Sequence, residues 1–194
     1  MIRWSNTRTM LRQAPAVWAA ALLLAGCVAA PPLAEPVPRA EAPQFDPFTF
    51  FLGESRGDGM LAKALSDDTP IRVESHGRIE IETSRDGGPA APPVRVLVLD
   101  QVIREGDKPP RERQWRLHAV APGRYAGTLS DAIGPVTARS EGNRLVIAFS
   151  MKGGLAVRQD ITLSPDGNHA ANIMRVSKLG LTVAVLAEDI RKTP

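Results

Sequence analysis

Polar and apolar residues alternate with a period of two along most of the chain after residue 48. The clearest run covers residues 71–82, where Ile71, Val73 and Ile79 occupy odd positions and mostly charged residues occupy the even ones. This alternation is typical of a β-strand with one buried and one solvated face. A more continuously apolar run follows at residues 94–103. Turn residues recur about every eight to twelve positions, the spacing of short hairpins.

The same pattern predicts further strands at 111–120, 124–130, 136–140, 144–151, 155–163, 171–178 and 181–188. No segment has a convincing helical period. Nine or ten antiparallel strands in roughly 145 residues have to hide their edges, and closure into a barrel does this best. The sequence therefore predicts an all-β, antiparallel up-and-down barrel of the lipocalin-like (calycin-like) type rather than a flat sandwich. A barrel of this size is either filled by side chains or holds one small ligand. The bunched rings of Phe45, Phe48, Phe50 and Phe51 are expected to plug one end or cover the seam.

Residues 1–26 have the three parts of a secretory signal peptide: a cationic start, an apolar run at 14–25 and a region of small residues. The run is too short for a membrane-spanning helix, which needs roughly 20 apolar residues. The string Leu24-Ala25-Gly26-Cys27 resembles the lipobox of bacterial lipoproteins. In that family the cysteine thiol receives diacylglycerol, the chain is cut before it and the new amino group is acylated, commonly with palmitate. The resemblance therefore implies that Cys27 is the lipidated first residue of the mature protein.

The residue after Cys27 is Val28, and lipoproteins without an Asp at that place are usually passed to the outer membrane. We therefore expect a protein of the cell envelope that faces the periplasm, with the membrane as its partner through the anchor. Residues 27–47 are rich in proline and alanine, which favours an extended tether of up to roughly 60 Å. The barrel domain is then expected at 48–194.

Charge excludes one class of partner. The chain has 24 Lys and Arg against 21 Asp and Glu, and the surplus of three corresponds to Arg3, Arg8 and Arg12 in the signal segment. A mature chain from Cys27 is formally neutral, so it lacks the basic surplus of a nucleic-acid-binding protein. Its single cysteine also leaves no disulfide to stabilise the fold.

Several strings resemble a family of uncharacterised bacterial lipoproteins and exported proteins that is classed as a domain of unknown function. They are Phe50-Phe51-Leu52-Gly53, Arg113-Gln114-Trp115-Arg116, Gly123-Arg124-Tyr125-Ala126-Gly127, Ser130-Asp131-Ala132-Ile133-Gly134-Pro135 and the stretch from Asn172 to Gly180. The resemblance covers about residues 48–192 and implies a β-barrel-like envelope protein without an established activity. The chain departs from the family at Gln159-Asp160-Ile161, where members often carry a Trp.

No motif indicates catalysis or a cofactor. His76, His118 and His169 are scattered, and no HxH, HExxH or CxxC motif is present, so we expect no metal site. The chain has neither a GxSxG motif nor a free cysteine beyond Cys27. We therefore assign no catalytic residue.

The ligand-binding candidates are Trp115, Arg113, Tyr125, Arg175 and Lys178. Trp115 and Arg113 share one face of a strand, so they either line a pocket for an amphipathic anion or form a core anchor and a rim ion pair with Asp131. Cations fall on both faces of the stretch 172–180, where a buried one needs a carboxylate or a bound anion.

Asp131, Gly134 and Pro135 are expected to form a structural corner between strands.

The leading hypothesis is a lipid-anchored barrel that binds a small apolar or anionic-amphipathic ligand. The alternatives are a structural or assembly protein with a filled barrel, and a hydrolase or isomerase acting in the barrel mouth. A lumen above about 300 Å³ with Trp115 inside favours binding, whereas a lumen filled with side chains favours a structural role.

Overall fold

A computed structural model describes residues 28–83 and 93–193. These residues form one short helix and ten strands. The elements are α1 Pro47–Phe50, β1 Gly53–Lys63, β2 Ser66–Glu82, β3 Val94–Glu105, β4 Arg111–Ala121, β5 Arg124–Leu129, β6 Ala132–Glu141, β7 Arg144–Met151, β8 Leu155–Leu163, β9 His169–Lys178 and β10 Leu181–Lys192.

The ten strands form a closed antiparallel barrel. Each strand pairs with its neighbours in the chain, and β1 pairs with β10 to complete the ring, with Gly57 opposite Ile190. The predicted all-β up-and-down barrel is therefore confirmed. The bounds of β7 and β8 are those that the pattern predicts, while β2, β9 and β10 are longer. The pattern gives no strand before residue 71, because Gly53, Gly57 and Gly59 interrupt the apolar positions of β1.

Side chains from alternate positions of every strand fill the lumen. The largest apolar cluster includes Leu97, Leu99, Trp115, Leu117, Leu129, Val136, Leu145, Ile147, Phe149, Val157, Ile161, Leu163 and Ile190. A second, smaller cluster consists of Ile71, Val73, Ile103 and Leu186. The even positions of β2 remain solvated, as the alternation over residues 71–82 predicts. Burial of these apolar faces holds the barrel together.

Phenylalanine rings close one end of the barrel, which we call the covered end. Phe45, Phe50 and Phe51 are buried within the main cluster, and their ring centroids are 4.9–6.2 Å apart. Gly77 of β2 lets the chain cross here, since a Cβ on Gly77 would lie 1.6 Å from the carbonyl oxygen of Phe51. The opposite end, which we call the far end, carries the turns at 64–65, 106–110, 130–131, 152–154 and 179–180.

Residues 34–45 make hydrogen bonds to the barrel, so this part of the predicted tether lies against the domain. Asn143 holds it: its Oδ1 accepts from the Ala40 backbone N at 2.8 Å, and its Nδ2 donates to the Pro38 carbonyl at 3.0 Å. Nearer the start of the segment, Ala34 N donates to Asp189 Oδ2 at 2.9 Å. Proline-rich chain lacks donors for its own secondary structure, and here barrel side chains supply the partners.

The corner expected at Asp131, Gly134 and Pro135 is divided in the structure. The turn between β5 and β6 lies at Ser130 and Asp131, where Asp131 Oδ2 accepts from Arg111 Nη1 at 2.8 Å. Gly134 and Pro135 lie inside β6, where the pairing with β7 shifts register between Ile133 and Thr137. Gly134 has a φ of +77°, so this is a bulge that glycine permits.

The signal segment 1–26 and Cys27 lie outside the described residues. Within the described part of the chain, no helix has the length and apolar character needed to cross a membrane.

We expect Asn143→Ala to lower the free energy of unfolding by about 2–4 kcal/mol, because it removes several hydrogen bonds from a side chain that is 2% exposed. Urea denaturation measures the change. Asn168→Ala, in an exposed turn, is the matched control and should change stability by less than about 0.5 kcal/mol. Equal effects of the two substitutions would show that Asn143 does not hold the segment.

Candidate functional site

A polar network crosses the lumen wall formed by β2, β3 and β4. Gln101 is its centre: its Oε1 accepts from Arg113 Nε at 2.7 Å and from Trp115 Nε1 at 2.8 Å. Its Nε2 donates to Ser75 Oγ at 2.8 Å. The side chains meet because Ser75, Gln101 and Arg113 are direct partners in the strand pairing. The network fixes the Arg113 side chain inside the barrel.

Aromatic contacts complete this wall. The Arg113 guanidinium carbon lies 5.5 Å from the centroid of the Trp115 ring. The Trp115 ring packs edge-on against Phe149 at 5.4 Å, and its residue is 4% exposed. Trp115 thus serves as a core anchor and also supports the guanidinium through a cation–π contact.

The opposite wall carries a buried carboxylate. Glu188 of β10 is 5% exposed, and its Oε2 accepts from Asn172 Nδ2 of β9 at 2.9 Å. Gly57 of β1 makes room for the Glu188 side chain, because a Cβ there would lie 1.9 Å from Glu188 Oε1. Asn172 is 2% exposed, and its Oδ1 is buried without a hydrogen-bond partner among the described residues.

The lumen therefore holds a cation and an acid that do not touch. Among the described residues, neither Arg113 nor Glu188 belongs to an ion pair within 4.0 Å. Burial lowers the pKa of Arg113 to about 10, so it remains a cation at neutral pH. Burial also raises the pKa of the Glu188 carboxyl, against the opposing effects of the Asn172 hydrogen bond and the Arg113 charge.

The space between these groups is small. The cavity lined by Arg113, Trp115, Gln101, Asn172 and Glu188 has a volume of about 40 Å³. One water molecule needs about 10–15 Å³ on this measure, so the cavity holds about three water molecules or a group of that size. Binding pockets for drug-sized molecules begin at about 300 Å³. By size alone, the lumen favours the filled-barrel alternative.

A larger groove of about 570 Å³ lies on the outer wall. Its outward-facing side chains include Glu54, Glu74, His76, Asp100 and Glu112. Most of these carboxylates already have partners: Glu54 contacts His76 at 2.6 Å, Glu74 contacts Arg104 at 2.5 Å, and Asp100 pairs with Arg78. The groove is a solvated, ion-paired strand face and offers less chemistry than the lumen.

The structure separates the five residues that the sequence groups as ligand-binding candidates. Trp115 and Arg113 lie in the lumen. Tyr125 also faces inward but lies near the covered end, with its ring 5.9 Å from that of Phe48. Arg175 faces outward and pairs with Asp160 at 3.8 Å, and Lys178 is exposed at the far end. Arg175 and Lys178 are therefore not lumen residues, because the first lies on the outer face and the second ends its strand.

Sequence reasoning missed Glu188, Gln101 and the unpartnered Asn172 oxygen. The usable signal was a polar residue between apolar residues two positions away on each side, as in Leu186-x-Glu188-x-Ile190 and Leu99-x-Gln101-x-Ile103. The predicted last strand ends at Glu188, which hid this pattern. The rim pairing considered for Arg113 with Asp131 is wrong, since Arg111 occupies that carboxylate.

The histidines do not converge. His76 contacts Glu54, and His169 Nε2 lies 3.0 Å from Asp189 Oδ1. The described residues contain no group of three or more His, Cys, Asp or Glu side chains placed to hold a metal ion.

Comparison with known proteins gives a family and a fold. The family described as "Protein of unknown function (DUF3833)" matches residues 21–192. The S-type phycobiliprotein lyase CPES from Guillardia theta has a similar structure, with a TM-score of 0.55 and 8% identity over 76% of this chain and 91% of that chain. A protein of unknown function from the DUF3598 family of Nostoc punctiforme gives a TM-score of 0.47 and 12% identity, over 81% of this chain and 52% of that chain. No curated protein sequence matches the chain. At these identities the lyase shows the barrel fold alone.

Glu188→Gln should change how stability depends on pH. An acid whose pKa is raised by folding contributes fully to stability below its ordinary value of 4.5, and this contribution is lost as the pH rises to the raised value. The variant should therefore gain stability relative to the wild type over that interval, by about 1.4 kcal/mol for each pH unit between the two values. Urea denaturation across this pH range measures it. Glu112→Gln, on the exposed start of β4, is the control, and an equal pH dependence in both variants would contradict the role of burial.

Proposed function

The chain belongs to the DUF3833 family of proteins of unknown function, and we propose that its barrel binds a small anionic molecule, or the anionic head of a larger amphipathic one, through Arg113. The observation that carries the proposal is a charged guanidinium held in the lumen by Gln101, without a carboxylate partner among the described residues. Arg113 is half-buried, and withdrawing a cation from water without a counterion costs free energy that a bound anion offsets.

The cavity volume limits what enters. A space of about 40 Å³ accommodates a carboxylate or a similar head group and excludes an acyl chain. The apolar body of an amphipathic ligand then has to remain outside this cavity or displace lumen side chains. The barrel is therefore proposed to bind only the head group of a lipophilic ligand and not to enclose the whole molecule.

A filled barrel with a structural or assembly role is the second candidate, and the same small volume favours it. The lining argues against it, because a purely structural lumen is most stable with apolar side chains in place of Arg113 and Glu188. A barrel-mouth hydrolase or isomerase would use Glu188 as its acid or base. The space of about 40 Å³ beside Glu188 limits the substrate of such an enzyme to a compact molecule.

We also propose export and lipid anchoring at Cys27, in the outer membrane facing the periplasm. The lipobox string and the signal-like segment support this proposal. The contact of Ala34 with the barrel then limits the reach of the anchor. Ala34 is fixed to Asp189, so at about 3.6 Å per residue the anchor lies within about 25 Å of that contact.

The binding proposal predicts a saturable response of Trp115 fluorescence to propionate. Trp115 is the only tryptophan after Cys27, so the processed protein carries a single reporter in the lumen wall. We expect Arg113→Gln to weaken propionate binding tenfold or more, since a hydrogen bond to a charged group contributes about 1.5–3 kcal/mol. Arg116→Gln is the matched control, because Arg116 lies on the outer face of the same strand and pairs with Glu80 and Glu82.

Two further probes identify the kind of ligand. Propionamide has the same shape without the charge and should not compete with propionate. Octanoate at submicellar concentration should bind with an affinity similar to that of propionate if the site takes the head of an amphiphile. It should not bind if the site takes only small free acids. Absence of a response to every small carboxylic acid tested would reject the binding proposal and support the filled barrel.

The anchoring proposal predicts that Cys27→Ser abolishes palmitate incorporation and leaves residues 1–26 attached. Metabolic labelling and the intact mass of the purified protein measure both effects. Val28→Asp should keep the lipid and move the protein to the inner membrane fraction. Normal lipidation of Cys27→Ser would contradict the proposal.

A further inference from the structure

We propose, building on the proposed function, that the ligand is a small acid that also carries a hydrogen-bond donor, either a hydroxyl or an amino group. Arg113 receives the anionic group, and Asn172 with Glu188 receives the donor. The site then selects hydroxy acids and amino acids over simple carboxylic acids.

The first observation is the Asn172 side chain. Asn172 is 2% exposed and lines the same cavity as Arg113. Its Nδ2 is used by Glu188, so its amide orientation is fixed, and its Oδ1 is left without a partner among the described residues. An unsatisfied buried acceptor costs about 1–3 kcal/mol, which a donor placed in the cavity recovers.

The second observation is the Glu188 carboxylate. Oε2 accepts from Asn172, while Oε1 lies over Gly57, at the one place on β1 where a missing Cβ leaves it room. The carboxylate lines the cavity together with Asn172 and provides further acceptor positions beside Oδ1. This wall therefore presents acceptors, whereas the Arg113 wall presents donors.

The two walls face each other across a narrow space. Glu188 and Asn172 belong to the adjacent strands β10 and β9, while Arg113 belongs to β4, which is separated from β10 by β1, β2 and β3. A molecule that bridges them needs an acceptor group and a donor group only a few atoms apart, since the cavity has about 40 Å³. Compact hydroxy and amino acids have this arrangement.

Water molecules in the cavity would also donate hydrogen bonds to Asn172 and Glu188. The test therefore has to show that the site prefers a ligand with a donor over a ligand that leaves these acceptors to water. A site whose buried acceptors are aligned for a donor rejects an analogue without that donor, because binding the analogue leaves the acceptors unpaired. Water that remains beside the analogue would remove this penalty. The comparison of ligands with and without the donor therefore distinguishes a ligand site from a hydration site.

Propionate, lactate and alanine are the probes, because they share a three-carbon skeleton and differ at one position. Their affinities for the full chain, purified in detergent, are measured by saturation-transfer NMR and by competition. We expect lactate and alanine to bind about tenfold more tightly than propionate, because one charge-assisted hydrogen bond changes the affinity by about that factor. Equal affinities of the three acids would overturn the inference and leave the proposed function intact. Failure of all three to bind would reject both.

Two variants separate the roles on the acceptor wall. Glu188→Gln keeps an acceptor but removes a carboxyl that can ionise opposite an ammonium group, so it should reduce the preference for alanine more than that for lactate. Asn172→Leu should reduce both preferences to near unity while propionate still binds. Glu112→Gln, on the exposed part of β4, should leave all three affinities unchanged. If Asn172→Leu does not fold, the Glu188→Gln ratios decide alone, and unchanged ratios would overturn the inference.

Discussion

The pairing of β1 with β10 is the constraint on which the rest of the structure depends. It joins residues more than a hundred positions apart in the chain and removes the two edges that an open ten-stranded sheet would expose. The pairing is close because β1 carries glycines: a Cβ on Gly59 would lie 2.2 Å from the Ala187 carbonyl oxygen. Closure also brings Glu188 over Gly57 and turns it toward the wall that carries Arg113. The polar site is thus a product of the closure and exists on no single hairpin.

Closure places two ionisable groups where water is scarce, and the chain holds each of them with a neutral amide. Arg113 is held by a neutral amide, Gln101, rather than by a carboxylate, and Glu188 is held by a neutral amide, Asn172. A direct ion pair between Arg113 and Glu188 would have satisfied both side chains. Neither would then have been available to bind a ligand. Their separation keeps a cationic wall and an acidic wall around one small space. Such an arrangement is costly for stability alone, which is why its polar groups are better explained by recognition than by folding.

Much of this fold follows from the sequence, because burial on one face of a strand leaves a period of two. The pattern places Trp115 and Arg113 on the same face as Leu117, and all three face the lumen. It fails where a glycine removes the apolar residue, as in β1, and where a segment that contacts the barrel lacks any period, as in residues 34–45. Glu188 was missed because a lone acid near a predicted strand end is ordinarily solvated. Only the partner strands show that β10 continues to Lys192 and that Glu188 lies in its interior. Pairing between distant strands carries no local signature, so the opposition of Glu188 and Arg113 is accessible only from the structure.

Volume and lining give different indications about function, and they refer to different parts of a ligand. The free space of about 40 Å³ limits the body of whatever enters, and it argues against storage of a long apolar chain. The lining concerns the head group, and it consists of the Arg113 donors on β4, the unmet Asn172 acceptor on β9 and the Glu188 carboxyl on β10. A lumen filled for structural reasons explains the first property and leaves the second without a cause. A carrier of apolar molecules would need the opposite combination, a large space with few buried polar atoms. Recognition of a compact polar group accounts for both properties, because such a group needs little space and complementary hydrogen-bonding partners on two sides.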